Sequence, residues 1–511
     1  MNLIQELQAL QAEHGYLREE DLRALSERRR VPLYEIEGVS SFYPHFRRTP
    51  PPRVAVHACR DLSCELAGGA AAREGLARLC ADREGVEYHE VSCLGRCDGA
   101  PACAVNEVPV AAEAVGGLLD DPSGLPADEP TDAPRSWEID AGEPYAVLRE
   151  WIERDDWDAM IARISGSGLR GMGGAGFPTG KKWELVRAEE ARPKYVVCNA
   201  DESEPGTFKD RVVLEEMPHR VLEGLALGAL AIGAEQGYVY IRHEYAREEK
   251  ALRRAIERAY ADGVLGENVC GSGKRFELEI FVSPGGYILG EETALLEALE
   301  GKRGEPRNKP PYPGTHGLWG KPTLINNVES LATIPYAVRT GTADRKFFSV
   351  SGDVAQPGVH EVPVGTTLNQ LIERCGGMRD GKALQAFLPG GASTGFLGAE
   401  HADLPMTWDA LREAGSALGS GAVVIVAEGR DMLQLARSLT AFFRNESCGK
   451  CVPCRIGTEK AVEMIDSGET AHLERMGELH TTLLETSICG LGQAALIPVQ
   501  SVLGRFGDAG K

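Results

Sequence analysis

Cys448, Cys451 and Cys454 are separated by two residues each in the run SCGKCVPC, and a fourth thiol, Cys489, follows in SICGLG. Three thiolates at that spacing with a distant fourth are how a cubane iron–sulfur cluster is held, so single-electron transfer is the first chemistry to consider. Zinc also accepts four thiolates, usually as two CxxC pairs, and a zinc-stapled scaffold or docking protein stands as the alternative from a different class. Inert core thiols do not fit, because Gly449, Lys450, Pro453 and Arg455 make the segment a polar turn. A second set pairs Cys59 with Cys64 after the strand-like VAVHA, and Cys93 with Cys97 in SCLGRCDGAP. The other five of the 13 cysteines, Cys80, Cys103, Cys198, Cys270 and Cys375, are scattered and read as small core residues.

Gly171-Met-Gly173-Gly174-Ala-Gly176 satisfies the dinucleotide fingerprint GxGxxG letter by letter. The fingerprint also needs a strand before it, a helix opening from its last glycine and an acidic residue about 20 positions on. Here the helical pattern YAVLREWIERDDWDAMIARI precedes the loop and FPTG follows it, so a Rossmann reading is refused. Such a loop still lets backbone N–H groups approach a phosphate, with Lys181 and Lys182 to supply charge; a plain turn is the bland alternative.

Asp201, Glu202 and Glu204 follow the strand-like KYVVC, at the end of a strand where α/β sheets place ligands. Three carboxylates there repel one another unless they meet hydroxyls or amides, as ribose, ribityl or nicotinamide groups offer; a solvated acidic loop is the competing reading. Glu291 and Glu292 open a helix in GGYILGEETALLEALEG, a position that favours negative charge in any protein. Lys309 and Tyr312 lie in a proline-stiffened loop, and Asn326 and Asn327 offer amides in TLINNVES.

These residues must be positioned by an α/β multidomain chain of 511 residues, 43% of them hydrophobic. Residues 1–50 read as a helical cap, and residues 51–115 as a small α/β unit with cysteines at its loop ends and a single strand around ACAVNEVPV. Residues 116–144, rich in Pro, Asp and Glu, read as an exposed linker. Strands alternate with helices over 145–340, a small mixed-sheet module fills 341–430, and 431–511 is helical. A net charge of −21 disfavours a nucleic-acid partner, which requires phosphates to be neutralised by Lys and Arg. Clustered unpaired thiols point to a reducing cytoplasm, and the apolar stretch 221–234 is shorter than the roughly 20 residues a membrane span needs.

In order, SGLRGMGGAGFPTGKKW, NADESEPGTFKDR, GGYILGEETALLEALEG, KPPYPG, INNVES and SCGKCVPCR resemble the flavin-bearing, NADH-oxidising subunit of respiratory complex I and its soluble diaphorase relatives. The first 110 residues look like the thioredoxin-like [2Fe-2S] subunit that sits beside it, so the chain is similar to a fusion of the two. The resemblance implies a Rossmann-like domain that binds FMN and NAD(H), a β-grasp insert and a C-terminal helical bundle. It gives FMN to Gly171, Gly173, Lys182, Asn199, Asp201, Tyr287, Gly290, Glu291, Asn326 and Asn327. It gives the nicotinamide cofactor to Phe177, Glu204, Glu292, Lys309 and Tyr312, with Glu204 orienting and no residue acting as acid or base. Cys448, Cys451, Cys454 and Cys489 take the [4Fe-4S] cluster, and Cys59, Cys64, Cys93 and Cys97 the [2Fe-2S] cluster. Met172 and Tyr312 stand where Arg and Phe are usual. Fusion and Met172 are more similar to the diaphorase subunit of cytosolic NAD-dependent formate dehydrogenases, whose partner is a molybdenum or tungsten iron–sulfur subunit, with a further small iron–sulfur subunit in some. NAD-reducing hydrogenases use a similar fusion, and a complex I flavoprotein is the other alternative.

Overall fold

A computed structural model of the chain describes residues 1–131 and 135–507, which leaves the middle of the linker and the last four residues of the helical region outside the description. The first unit carries β1 (Val54–Cys59), β2 (Val86–Val91), β3 (Cys103–Val105) and β4 (Val108–Val110) in the order β2-β1-β3-β4. β1 and β2 are parallel and the rest antiparallel. The single strand expected around ACAVNEVPV is a hairpin. Asn106 and Glu107 both take positive φ, 47° and 68°, which closes a two-residue turn between Val105 and Val108.

The central sheet holds β5 (Tyr195–Ala200), β6 (Gln236–Arg242), β7 (Glu277–Ser283) and β8 (Thr323–Asn327). All are parallel, in the order β7-β6-β5-β8. The chain winds outward from β5 to β7 and then returns to the other side of β5, so the order reverses between β5 and β8. In open parallel sheets the crevice beyond the carboxyl ends at such a reversal is the ligand site. Residues 221–232 of the apolar stretch fall in the buried helix Pro218–Ile232, packed on the helix Val328–Thr340. Among the described residues no helix is long and apolar enough to cross a membrane.

The third sheet comprises β9 (Arg345–Gly352), β10 (Gly358–Pro363), β11 (Leu384–Leu388), β12 (Leu397–Gly398) and β13 (Ala422–Ala427), in the order β10-β9-β13-β11-β12. The helix Leu368–Arg374 packs its Leu368, Leu371 and Ile372 into that module's own core. A helical bundle follows from Met432.

Two expectations change. The N-terminal helices do not stand apart, because Leu3, Ile4 and Leu7 share a core with Leu295, Leu299 and Leu439. The linker is not a free exposed segment: Asp128 meets Arg247, Glu129 meets Lys250 and Arg254, Arg135 meets Glu216, and Ile139 is buried. Its acidic residues are partners for a basic helix about 120 positions later, a pairing that composition does not reveal.

Gly224 faces the backbone carbonyl of Leu331, where an added Cβ would overlap it. Gly224→Ala gains about 1 kcal/mol of helix propensity but forces two core helices apart, an overpacking that costs about 2 kcal/mol or more. The variant is expected to unfold at a lower thermal midpoint in parallel scans; an unchanged or raised midpoint contradicts this packing.

Candidate functional site

The glycine loop runs between two helices, Trp157–Gly166 and Thr179–Ala188, so the rejection of a strand–loop–helix fingerprint holds. It is pinched by Gly171 N–H donating to the Phe177 carbonyl at 2.8 Å and Thr179 N–H to the Leu169 carbonyl at 2.9 Å. Gly174 and Gly176 take φ of 122° and 62°, and a Cβ on Gly176 would stand 2.8 Å from the Trp408 ring of the third-sheet module. Gly173 backs onto Asn327, where a Cβ would lie 3.1 Å away. The loop is thus pressed against the carboxyl end of β8. Met172 is buried beneath it, its N–H on Ser330 Oγ at 2.8 Å.

Across the reversal, Asn199 Nδ2 donates to the Gly290 carbonyl at 2.8 Å, and a Cβ on Gly290 would lie 3.0 Å from the Asp201 carbonyl. Asp201 accepts Ser203 Oγ–H on Oδ1 at 2.6 Å, while Oδ2 is buried with no hydrogen-bond partner among the described residues. Burial pushes Asp201 up to about 6. A buried carboxylate oxygen without a donor is uncommon and fits a site that a hydroxyl- or amide-bearing ligand completes.

The carboxylate trio separates by environment. Glu202 accepts the Asp210 and Arg211 N–H groups at 2.9 and 3.1 Å, capping the helix Lys209–Glu216, and burial lifts it to about 8. It is structural. Glu204 turns the other way and accepts Ser393 N–H at 2.8 Å from the third-sheet module, burial again raising it.

Lys182 Nζ donates to the Ile325 carbonyl at 3.0 Å, and burial lowers it from the ordinary lysine range. Asn326 is occupied by Trp183 Nε1 at 3.0 Å and Asn327 caps the helix Val328–Thr340. Glu291 caps the helix Glu292–Leu299 through Thr293 and Ala294 N–H, so the bland reading of that position is part of its role. Lys309 Nζ lies 2.9 Å from Glu291 and 3.0 Å from Glu292. Phe177 and Tyr312 are 45% and 60% exposed, aromatic faces left in water.

The C-terminal cysteines lie behind this crevice. Cys454 is in the first turn of the helix Val452–Ser467 and Cys489 caps the helix Gly490–Ala494. Burial raises Cys454 to about 12, with Cys451, Cys489 and Cys448 adding to it, and Cys489 to about 11, with Glu291 and Cys448 adding. Burial holds the proton on a thiol, and a bound metal ion is one thing that displaces it. Tyr287 joins crevice to cysteines: its N–H donates to Glu446 Oε2 at 2.9 Å, and its ring lies 4.9 Å from that of Phe442.

Cys59, Cys64, Cys93 and Cys97 are all buried; Cys59 is within hydrogen-bonding reach of Cys64 and Cys93, and Cys93 Sγ is 3.5 Å from Cys97 Sγ. Cys103 turns to the opposite face, with its Sγ on the Val110 carbonyl at 3.1 Å, in a separate apolar core. Cys80, Cys198 and Cys375 are buried apolar residues and Cys270 is half-buried.

Several contributors are not evident from the sequence. Glu446 joins Tyr287 to Ser92, the neighbour of Cys93. Arg242 donates to the carbonyls of Glu202 and Cys93 at 2.6 and 2.7 Å. Lys209 sits between Asp210 and Glu329 at 2.6 and 3.0 Å, with Lys346 3.4 Å from Glu329, all buried. The signal for these is burial of charge, which one sequence does not carry.

Residues 164–336 match the Nuo51 FMN-binding domain, and 434–510 the iron–sulfur binding region of NADH-ubiquinone oxidoreductase-F. Residues 1–116 match a thioredoxin-like [2Fe-2S] ferredoxin, so that match takes in the N-terminal helices, and 347–397 match an SLBB domain. An F-type subunit of the NADH-quinone oxidoreductase of Rhizobium meliloti is 43% identical over 384 residues, 72% of this chain and 91% of its own. The HndC subunit of the NADP-reducing hydrogenase of Solidesulfovibrio fructosivorans is 42% identical over 366 residues, 68% of this chain and 74% of its own. The crystal structure of an NAD+-reducing [NiFe]-hydrogenase in the H2-reduced state superposes with a TM-score of 0.87 at 33% identity, covering 98% of this chain and 91% of that one.

Asp201 supplies a test of the crevice. Its pKa lies above the ordinary carboxylate value of about 3.9, so the native flavin-free chain holds the proton better than the unfolded chain does. The stability this confers is complete below about pH 4 and is lost as pH rises through 6, on the order of 3 kcal/mol. Flavin-free Asp201→Asn is expected to melt above the parent at pH 8 and level with it below pH 4, while retaining FMN at least tenfold more weakly. Equal melting at both pH values with equal FMN retention would sink the assignment.

Proposed function

The chain belongs to the F-type subunit family of the NADH-quinone oxidoreductases, and on that premise we propose that it is the NAD(H)-facing diaphorase subunit of a multi-subunit oxidoreductase. The observation that carries this reading is the Tyr287–Glu446 contact at 2.9 Å, which sets the crevice directly against the turn of Cys448. FMN exchanges hydride with nicotinamide and single electrons with iron–sulfur clusters, and that is the chemistry it brings when bound.

The chain's own residues bind and orient. Gly171 and Gly173 leave backbone close to the ligand, with Lys182 supplying positive charge and Asp201 Oδ2 accepting from a ribityl hydroxyl. Asn199, Tyr287, Gly290, Glu291, Asn326 and Asn327 complete the flavin wall. Phe177 and Tyr312 offer their exposed faces to the dinucleotide, while Glu204, Glu292 and Lys309 orient its ribose and carboxamide. Hydride transfer asks no proton of them, so none is assigned as acid or base. Two thiolate sets, Cys448, Cys451, Cys454 with Cys489, and Cys59, Cys64, Cys93 with Cys97, hold the [4Fe-4S] and [2Fe-2S] clusters.

For the remote end we propose a molybdenum or tungsten subunit that oxidises formate, supported by the fused architecture and by Met172 under the glycine loop. The 98% coverage by an NAD+-reducing [NiFe]-hydrogenase chain favours a second reading in which hydrogen is the donor. Metal analysis of the native assembly separates them: molybdenum or tungsten supports formate, nickel supports hydrogen, and quinone reduction with none of these removes both.

In the isolated holo chain NADH is expected to bleach the flavin. Cys448→Ala is expected to keep that bleaching while losing the paramagnetic signal of the reduced cubane cluster and at least tenfold of the electron delivery to the partner subunit. Loss of flavin bleaching along with the signal, at full FMN content, would contradict the separation of these roles.

A further inference from the structure

A group of potential ligands lies outside the crevice and both cysteine sets, where three parts of the chain meet. His45 follows the helix Leu33–Ser40, Glu107 occupies the turn between β3 and β4, and His243 comes directly after β6. One ring nitrogen of each histidine and a carboxylate oxygen of Glu107 lie within 4.8 Å of one another. His45 Nδ1 is 3.5 Å from Glu107 Oε1, and the two imidazole centroids are 4.4 Å apart with a 43° tilt.

Three independent features mark this junction as built. His45 is pinned from both sides, its carbonyl accepting Gln11 Nε2–H at 2.7 Å and its N–H reaching the Pro284 carbonyl at 3.4 Å. His243 Nδ1 is buried with no hydrogen-bond partner among the described residues, 3.3 Å from Glu244 Oε2, and Arg242 holds that carboxylate in place at 2.8 Å. A carboxylate beside one nitrogen of an imidazole orients the ring for a cation on its other nitrogen. Glu107 stands in the two-residue turn with its carboxylate beside His45.

We propose that His45, Glu107 and His243 bind one divalent transition-metal ion, zinc, at the junction of the N-terminal helices, the thioredoxin-like unit and the flavin domain. Two imidazoles and one carboxylate are a borderline donor set that suits zinc and leaves a fourth position for water. Ligand atoms around a tetrahedral zinc stand ~3.3 Å apart at bond lengths of about 2.0–2.1 Å. The His45–Glu107 pair is near that separation, and Glu107, 54% exposed, has the freedom to adjust toward both rings and leaves an entry path. Zinc has no redox role here; it ties three units of the chain together.

The test uses the full-length chain with flavin and both clusters in place, stripped with a mild chelator and titrated with zinc chloride. One zinc per chain is expected after desalting, with an X-ray absorption shell of nitrogen and oxygen only near 2.0 Å and a higher thermal midpoint than the zinc-free chain. Glu107→Gln, on an exposed turn, is expected to weaken zinc tenfold or more and to abolish the thermal shift while leaving the zinc-free midpoint in place. His243→Asn is expected to do the same. No zinc retained, a sulfur shell near 2.3 Å from metal at a cysteine set, or zinc held equally by parent and Glu107→Gln would overturn the proposal.

Discussion

Arg242 carries a guanidinium into the interior, 2% exposed at the end of β6, where a charge survives only if every arm finds a partner. Its arms reach the Glu202 carbonyl beside the crevice, the Cys93 carbonyl in the thioredoxin-like unit, and the Glu244 carboxylate. Removing one partner of such a group leaves an uncompensated buried charge, a penalty of about 3–5 kcal/mol. The position of the Cys93 loop relative to the flavin crevice is therefore set by electrostatics. Shape enforces it too: a Cβ on Gly95 would stand 2.6 Å from the Tyr245 ring, so the loop lies flush on the flavin domain. Glu446 adds a second tie, from Tyr287 to Ser92.

The same economy of buried charge operates beneath the glycine loop. Lys209, Asp210, Glu329 and Lys346 balance one another across separate elements, and Asn327 Nδ2 joins them through Asp210 Oδ2 at 2.5 Å. Lys346 belongs to β9 and Glu204 reaches Ser393, so the SLBB-type module is a wall of the crevice in its own right. A site backed by paired charges and glycine contacts is held in place before any ligand arrives, which lowers the cost of ordering it on binding.

The parts of the candidate site that are legible in the sequence have local signals. CxxCxxC dictates a turn within seven residues, and the context around GMGGAG excludes a dinucleotide fold on neighbouring residues alone. Features set by distant partners are not legible in this way. Asp128 and Glu129 read as solvated linker because Arg247, Lys250 and Arg254 lie over a hundred positions away. Glu202 and Glu204 look alike in sequence, yet one caps a helix and the other faces the SLBB-type module. The hairpin at Asn106 escapes a sequence reading because Glu107, the second turn residue, is not one that turns favour. The cap reads as separate because an amphipathic helix does not say which core receives its apolar face.

The crevice and both cysteine sets form one packed body, joined through Tyr287, Glu446 and Arg242, and the electron transfer proposed among them is what that packing would serve. Rapid freeze-quench electron paramagnetic resonance of the holo chain mixed with NADH tests it most directly. The signals of both reduced clusters are predicted to grow within a single turnover, the one held by Cys59, Cys64, Cys93 and Cys97 included. A cluster at those four cysteines that dithionite reduces and NADH leaves oxidised, at a potential accessible to NADH, would contradict it.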